Sequence, residues 1–118
     1  MNVNIQTVHF DAYADLRSYI EKKLDKLEQF REKMKIRKVD VYLQLNKLSS
    51  GLKEKTAGIR IRIPGGKEIY VKTTSLLFEE SFDNALDSVV EQLVRIKHKV
   101  KRPKAKIAKW LRKYHIAA

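Results

Sequence analysis

The stretch IRIRIPGGKEIYV, residues 59–71, decides the fold. Ile59, Ile61 and Ile63 alternate with Arg60 and Arg62, a period of two that makes one face of an extended chain apolar and the other cationic. Pro64, Gly65 and Gly66 follow with turn chemistry, since proline presets φ and glycine admits positive φ. Ile69 and Val71 then resume the alternation. Two antiparallel strands joined by a hairpin are expected, with a dry face that another layer must cover.

Toward the N-terminus, Val39, Val41, Leu43 and Leu45 alternate with Lys38, Asp40, Tyr42 and Gln44, a further strand with one wet face. Residues 46–54 read as a polar loop around Gly51, and Val3, Ile5 and Thr7 mark a first strand over 2–8. Between them, Asp11 is placed to cap a helix over 12–33, in which Leu16, Ile20, Leu24, Leu27 and Phe30 step by three and four. Beyond the hairpin, Ser81 is placed to cap a second helix carrying Phe82, Leu86, Val89, Leu93, Ile96 and Val100, which ends near Arg102 before Pro103. The fold class is α+β, ordered β-α-β-β-β-α: a four-stranded sheet with two long helices packed on one face over residues 1–102. A basic tail, 103–118, follows, in which Ile107, Trp110, Leu111 and Tyr114 share one helical face.

Composition sets the class of partner. The 118 residues suit one domain, and 26 Lys and Arg against 14 Asp and Glu give +12, an excess that points to a polyanion. No apolar run is long enough to cross a bilayer, and MNVNIQTVHF reads as strand rather than export signal, so a cytoplasmic location without membrane contact is expected. The lack of cysteine excludes disulfides, thiol catalysis and Cys-bound zinc. His9, His98 and His115 are scattered, Gly65-Gly66 lacks the spacing and Lys-Ser/Thr of a phosphate loop, and Asp40 and Glu68 have no second carboxylate beside them. An enzyme, a metal site or a cofactor is therefore not expected.

No Asp or Glu follows Glu91, while ten cations follow from Arg95 onward, leaving 16 cations and 14 anions in the rest. Such a block marks an interaction arm or a solvated extension; Trp110, Leu111 and Tyr114 favour the arm, with Lys104, Lys106, Lys109, Arg112 and Lys113 as its phosphate contacts. On the first helix Lys22, Lys26 and Lys33 fall on one flank, with Lys23 and Tyr19 between it and the apolar stripe, and Glu21, Asp25, Glu28 and Glu32 opposite. On the second, Arg95, Lys99 and Arg102 take the flank that Asp83, Asp87 and Glu91 avoid. Two one-signed ridges suit phosphates; ordinary solvated helix surfaces are the competing explanation. Arg60, Arg62 and Lys72, with Tyr42 and Tyr70, occupy the wet face of the sheet, where keeping that face soluble is their expected role. An aromatic pair there can also stack bases, although the glycine-aromatic signature of RNA-recognition sheets is missing.

The helices LRSYIEKKLDKLEQF (16–30) and SFDNALDSVVEQLVRIKHK (81–99), with the element order, resemble the ribosome hibernation-promoting factors and ribosome-associated translation inhibitors of bacteria over about residues 1–102. The most specific part is the spacing of Arg17, Tyr19, Lys23, Lys26 and Leu27 combined with that of Ala85, Leu86, Leu93 and Arg95. The resemblance implies an architecture related to double-stranded RNA-binding domains. It also implies binding to the small ribosomal subunit near its decoding centre, over the messenger and transfer RNA sites. Arg17, Lys23, Lys26, Arg95 and Lys99 would then face 16S rRNA. Gln92 stands where many relatives have Lys. The chain stops without the dimerising domain of the long forms, so self-sufficient ribosome pairing is not implied, and a monomer off the ribosome is expected. The tail lies outside the shared pattern and is read as running along the messenger path, docking on a ribosomal protein or folding back on its own domain. Two rival readings are a regulatory module whose basic tail binds a protein groove, and an interfacial helix around Trp110 on anionic lipid.

Overall fold

The computed structural model describes residues 2–97. In chain order the elements are β1 (Asn2–Val8), α1 (Ala14–Lys23), a 3₁₀ turn (Leu24–Leu27), α2 (Glu28–Met34), β2 (Lys38–Lys47), β3 (Lys53–Ile63), β4 (Lys67–Ser75) and α3 (Phe78–Lys97). The sheet is ordered β1-β2-β3-β4. Among the described strands only the β1–β2 pair is parallel, and the helices between those strands supply the crossover that a parallel pair requires. The hairpin pairs as expected, with Ile59 opposite Val71 and Ile61 opposite Ile69. On the other side of β3, Ile61 faces Val39, Ile59 faces Val41 and Ala57 faces Leu43. That register puts every apolar position of the three strands on one face, and the helices cover it.

The expected single helix over 12–33 is broken. Leu24, Leu27 and Phe30 are spaced by two successive steps of three, and all are buried. An α-helix would carry the third of them about 120° away from the first, whereas a 3₁₀ turn, with three residues per revolution, keeps them in line. The backbone tightens at Leu24–Leu27 to bury the whole stripe. Asp11 does not cap this segment: the helix starts at Ala14 with Tyr13 at the cap position and no side-chain cap bond. The Tyr13 carbonyl accepts the N–H groups of Leu16 and Arg17, and its hydroxyl donates to Glu79 at 2.7 Å.

Ser81 is likewise not a cap. The second helix begins three residues earlier, at Phe78, which stacks on Phe10 with ring centroids 4.5 Å apart. Ser75 Oγ accepts the Leu77 N–H at 3.2 Å just ahead of it. Ser81, fully buried, instead ties the helix to the sheet: its Oγ donates to the Lys55 carbonyl at 2.6 Å and bonds Ser75 Oγ at 2.8 Å, while its own carbonyl accepts from Thr73. From there Phe82, Leu86, Val89 and Leu93 are buried as the spacing requires, and Ala85, Val90 and Val94 widen the stripe. The predicted extension to Arg102 and the tail 103–118 lie outside the described residues.

Lys35 ends α2 in the left-handed region at φ 54°, and the Ile36 N–H returns to the Arg31 carbonyl at 3.1 Å. This position favours glycine. Relief of the strained φ, offset by the greater unfolded-chain entropy of glycine, should make Lys35→Gly more stable by about 0.5–1 kcal/mol. A melting midpoint raised by a few degrees is the expected readout.

Candidate nucleic-acid interface

Among the described residues, the cations singled out from sequence divide into two groups. Arg17 and Lys22 are exposed on α1 and have no ion-pair partner among the described residues. Lys23 and Lys26 are half-buried where the 3₁₀ turn approaches α3; Lys23 Nζ stands 4.0 Å from Asp83 and Lys26 Nζ 3.6 Å from Asp87. Tyr19 joins them, donating its hydroxyl to Asp83 at 2.6 Å with Lys23 Nζ 5.4 Å from its ring centroid. A depression between these side chains is lined by Tyr19, Lys22, Lys23, Asp25 and Lys26.

The expected segregation of charge is therefore corrected at three places. Asp83 and Asp87 project toward the basic flank of the first helical segment, Arg95 is paired with Glu91 one turn before it on α3, and Asp25 lines the same depression as Lys22 and Lys26. These pairs are a third or more exposed at most of their members, so they orient the helices more than they stabilise them. Lys99, Arg102, Lys104, Lys106, Lys109, Arg112 and Lys113 lie outside the described residues, as do His98, His115 and Trp110.

The packing leaves a titration signature. Burial first, and then the hydrogen bond to Asp83, pushes the Tyr19 phenol up to about 12. Asp87 is also raised, because burial outweighs the opposing pull of Lys26. A phenol whose folded value exceeds its unfolded one near 10 contributes stability that is intact below pH 10 and lost as the pH climbs toward 12. Urea midpoints measured between pH 9 and pH 12, values set by that same window, should fall less steeply in Tyr19→Phe than in the parent chain.

A second basic surface was not legible in the sequence. At the hairpin end of the sheet, Lys35, Arg37, Lys38, Arg62 and Lys67 line a cleft with Ile63, Pro64, Gly66 and Glu68. Lys38 pairs with Asp40 at 3.7 Å and Glu68 is taken by Arg60, but Lys35, Arg37, Arg62 and Lys67 have no ion-pair partner among the described residues. The run KMKIRK, residues 33–38, was the available signal. It acquires meaning only because antiparallel pairing lays the start of β2 beside the end of β3.

On the open face adjoining that cleft, Arg60 sits between two tyrosines, its guanidinium carbon 4.9 Å from the Tyr70 ring centroid and 5.5 Å from that of Tyr42. Glu68 holds Arg60 Nε at 2.7 Å, and Arg60 also donates to the Tyr42 hydroxyl at 3.4 Å. A Cβ at Gly58 would stand 3.2 Å from the Tyr70 hydroxyl oxygen, so the absence of a side chain there lets the Tyr70 ring lie along the sheet.

No group of three or more His, Cys, Asp or Glu among the described residues is arranged to hold a metal ion, and none of their helices is long and apolar enough to cross a membrane. No curated protein matches the chain significantly. The fold is similar to a solved structure described as a ribosomal subunit interface protein from Coxiella burnetii, with a TM-score of 0.72 and 23% sequence identity over 84% of this chain and 100% of that one. At that identity the likeness is one of fold. Residues 3–101 match the family described as sigma 54 modulation protein / S30EA ribosomal protein, and with the β-α-β-β-β-α arrangement they make this chain a member of that family.

Proposed function

We propose that the protein binds the small ribosomal subunit near the decoding centre through rRNA phosphate contacts and holds the ribosome inactive. Family membership over residues 3–101 is the observation that carries this reading. The net charge of +12 supports it, as do Arg17 and Lys22 on the helical side, exposed and without an ion-pair partner among the described residues. Lys23, Lys26 and Arg95 enter the interface only by exchanging an intramolecular carboxylate for a phosphate, which lowers their net worth relative to Arg17 and Lys22. The tail cations Lys104, Lys106, Lys109, Arg112 and Lys113 add further phosphate contacts, or dock the chain on a ribosomal protein. Blocking the messenger and transfer RNA sites requires occupancy rather than chemistry, so no catalytic group is assigned.

The test is sedimentation of the purified chain with small subunits, combined with polyuridylate-directed translation. Co-migration with small subunits and dose-dependent inhibition are expected. Co-migration without inhibition would overturn the inactivating role, and failure to co-migrate at low salt would overturn binding itself.

A further inference from the structure

We propose that the open face of the sheet seats an unpaired RNA base on Tyr70, with the neighbouring phosphates held by Arg62 on that face and by Lys67, which lines the cleft with Arg62 from the hairpin edge. The proposal takes from the reading above only that the ligand is RNA; the surface is the one opposite the helices. Tyr70 is 46% exposed although it is a large aromatic residue in the regular part of a strand. Arg60 lies 4.9 Å from the ring centroid, ion-paired at Nε with Glu68 and donating to the Tyr42 hydroxyl, and the Tyr42 ring stands 6.4 Å away, so the neighbours of the platform are in place before any ligand arrives. A preset plane costs less to bind than a mobile one.

Charge names the occupant. Arg60 is opposite Tyr70 in the β3–β4 register, and Arg62, opposite Glu68, is the next residue on the same face toward the hairpin. Two residues along a strand span about 6.6 Å, a reach suited to a base on one position and its phosphate on the next. Lys67, Lys35 and Arg37 extend the positive charge around the cleft, while Glu68, the carboxylate that lines it, is already engaged by Arg60. A single-stranded polynucleotide offers both a flat π surface and adjoining anions; an acidic peptide offers only the anions. Sequence readout is not expected, because every base has a stacking face.

The experiment uses the full chain and a short fluorescein-labelled oligouridylate, read by anisotropy across a salt series. Tyr70→Leu keeps apolar bulk but removes the π face, and should weaken binding about five- to 150-fold, while Tyr70→Phe should bind close to the parent. Arg62→Glu with Lys67→Glu should reduce the salt slope by about 1.4 for a single strand. Unchanged affinity in a folded Tyr70→Leu protein, an unchanged slope in the double reversal, or equal competition by polyglutamate would each overturn the proposal. Small-subunit co-sedimentation of the parent chain, run in parallel, decides the ribosome reading separately: its failure leaves the oligonucleotide result to judge the platform by itself.

Discussion

Phe82→Ala is expected to lower the unfolding free energy by about 3–5 kcal/mol, the cost typical of a large ring removed from a close-packed interior. Phe82 is fully buried on α3, among the side chains that seal the helices onto the apolar face of the sheet. The strands and the helices share this one core, so little can collapse into the space vacated. A domain of this size has only about 5–15 kcal/mol of stability in total, so the variant should sit near its unfolding midpoint under mild denaturant. Urea unfolding followed by far-UV circular dichroism measures the loss. A change below about 1 kcal/mol would mean that the helix repacks freely over the sheet, contrary to a single interlocked core.

Arg17→Glu combined with Lys22→Glu is expected to weaken small-subunit binding about 25- to 60-fold near 0.1 M salt while leaving stability almost unchanged. Each phosphate contact contributes about 0.7–0.9 to the slope of log affinity against log salt, hence a similar number of decades at 0.1 M relative to 1 M. Two lost contacts give that range, and repulsion from the new carboxylates adds to it. Both side chains are exposed, and neither is ion-paired among the described residues, so little structure depends on them. Lys23→Glu with Lys26→Glu should behave differently, since the new carboxylates would confront Asp83 and Asp87 and lower stability as well as affinity. Affinity and melting temperature measured together separate the two kinds of residue.

The parts of this molecule legible in its sequence are those governed by short periods. Ile59, Ile61 and Ile63 against Ile69 and Val71 gave the hairpin because alternation over a few residues has only one economical burial. The buried stripe of α3 followed from steps of four and three for the same reason. The break at Leu24–Leu27 was hidden, since two successive steps of three also occur in uninterrupted helices and only the position of the sheet shows that all three side chains must align. Non-local geometry hid the rest. Pairing of Lys23 with Asp83 and Lys26 with Asp87 depends on how closely two helices approach, which neither helix encodes alone. The gathering of Lys35 and Arg37 with Arg62 and Lys67 depends on strand order, as does the seating of Arg60 between Tyr42 and Tyr70.

The most direct measurement is small-subunit affinity across a salt series for three full-length proteins: the parent, Arg17→Glu/Lys22→Glu, and a chain in which Lys104, Lys106, Lys109, Arg112 and Lys113 are all Gln. If cationic side chains bind rRNA phosphates, the parent gives a steep negative slope, the double reversal flattens it by about 1.4–1.8, and the tail variant flattens it by up to about 3.5–4.5. A shallow parent slope, or three superimposable lines, would contradict phosphate binding as the source of affinity.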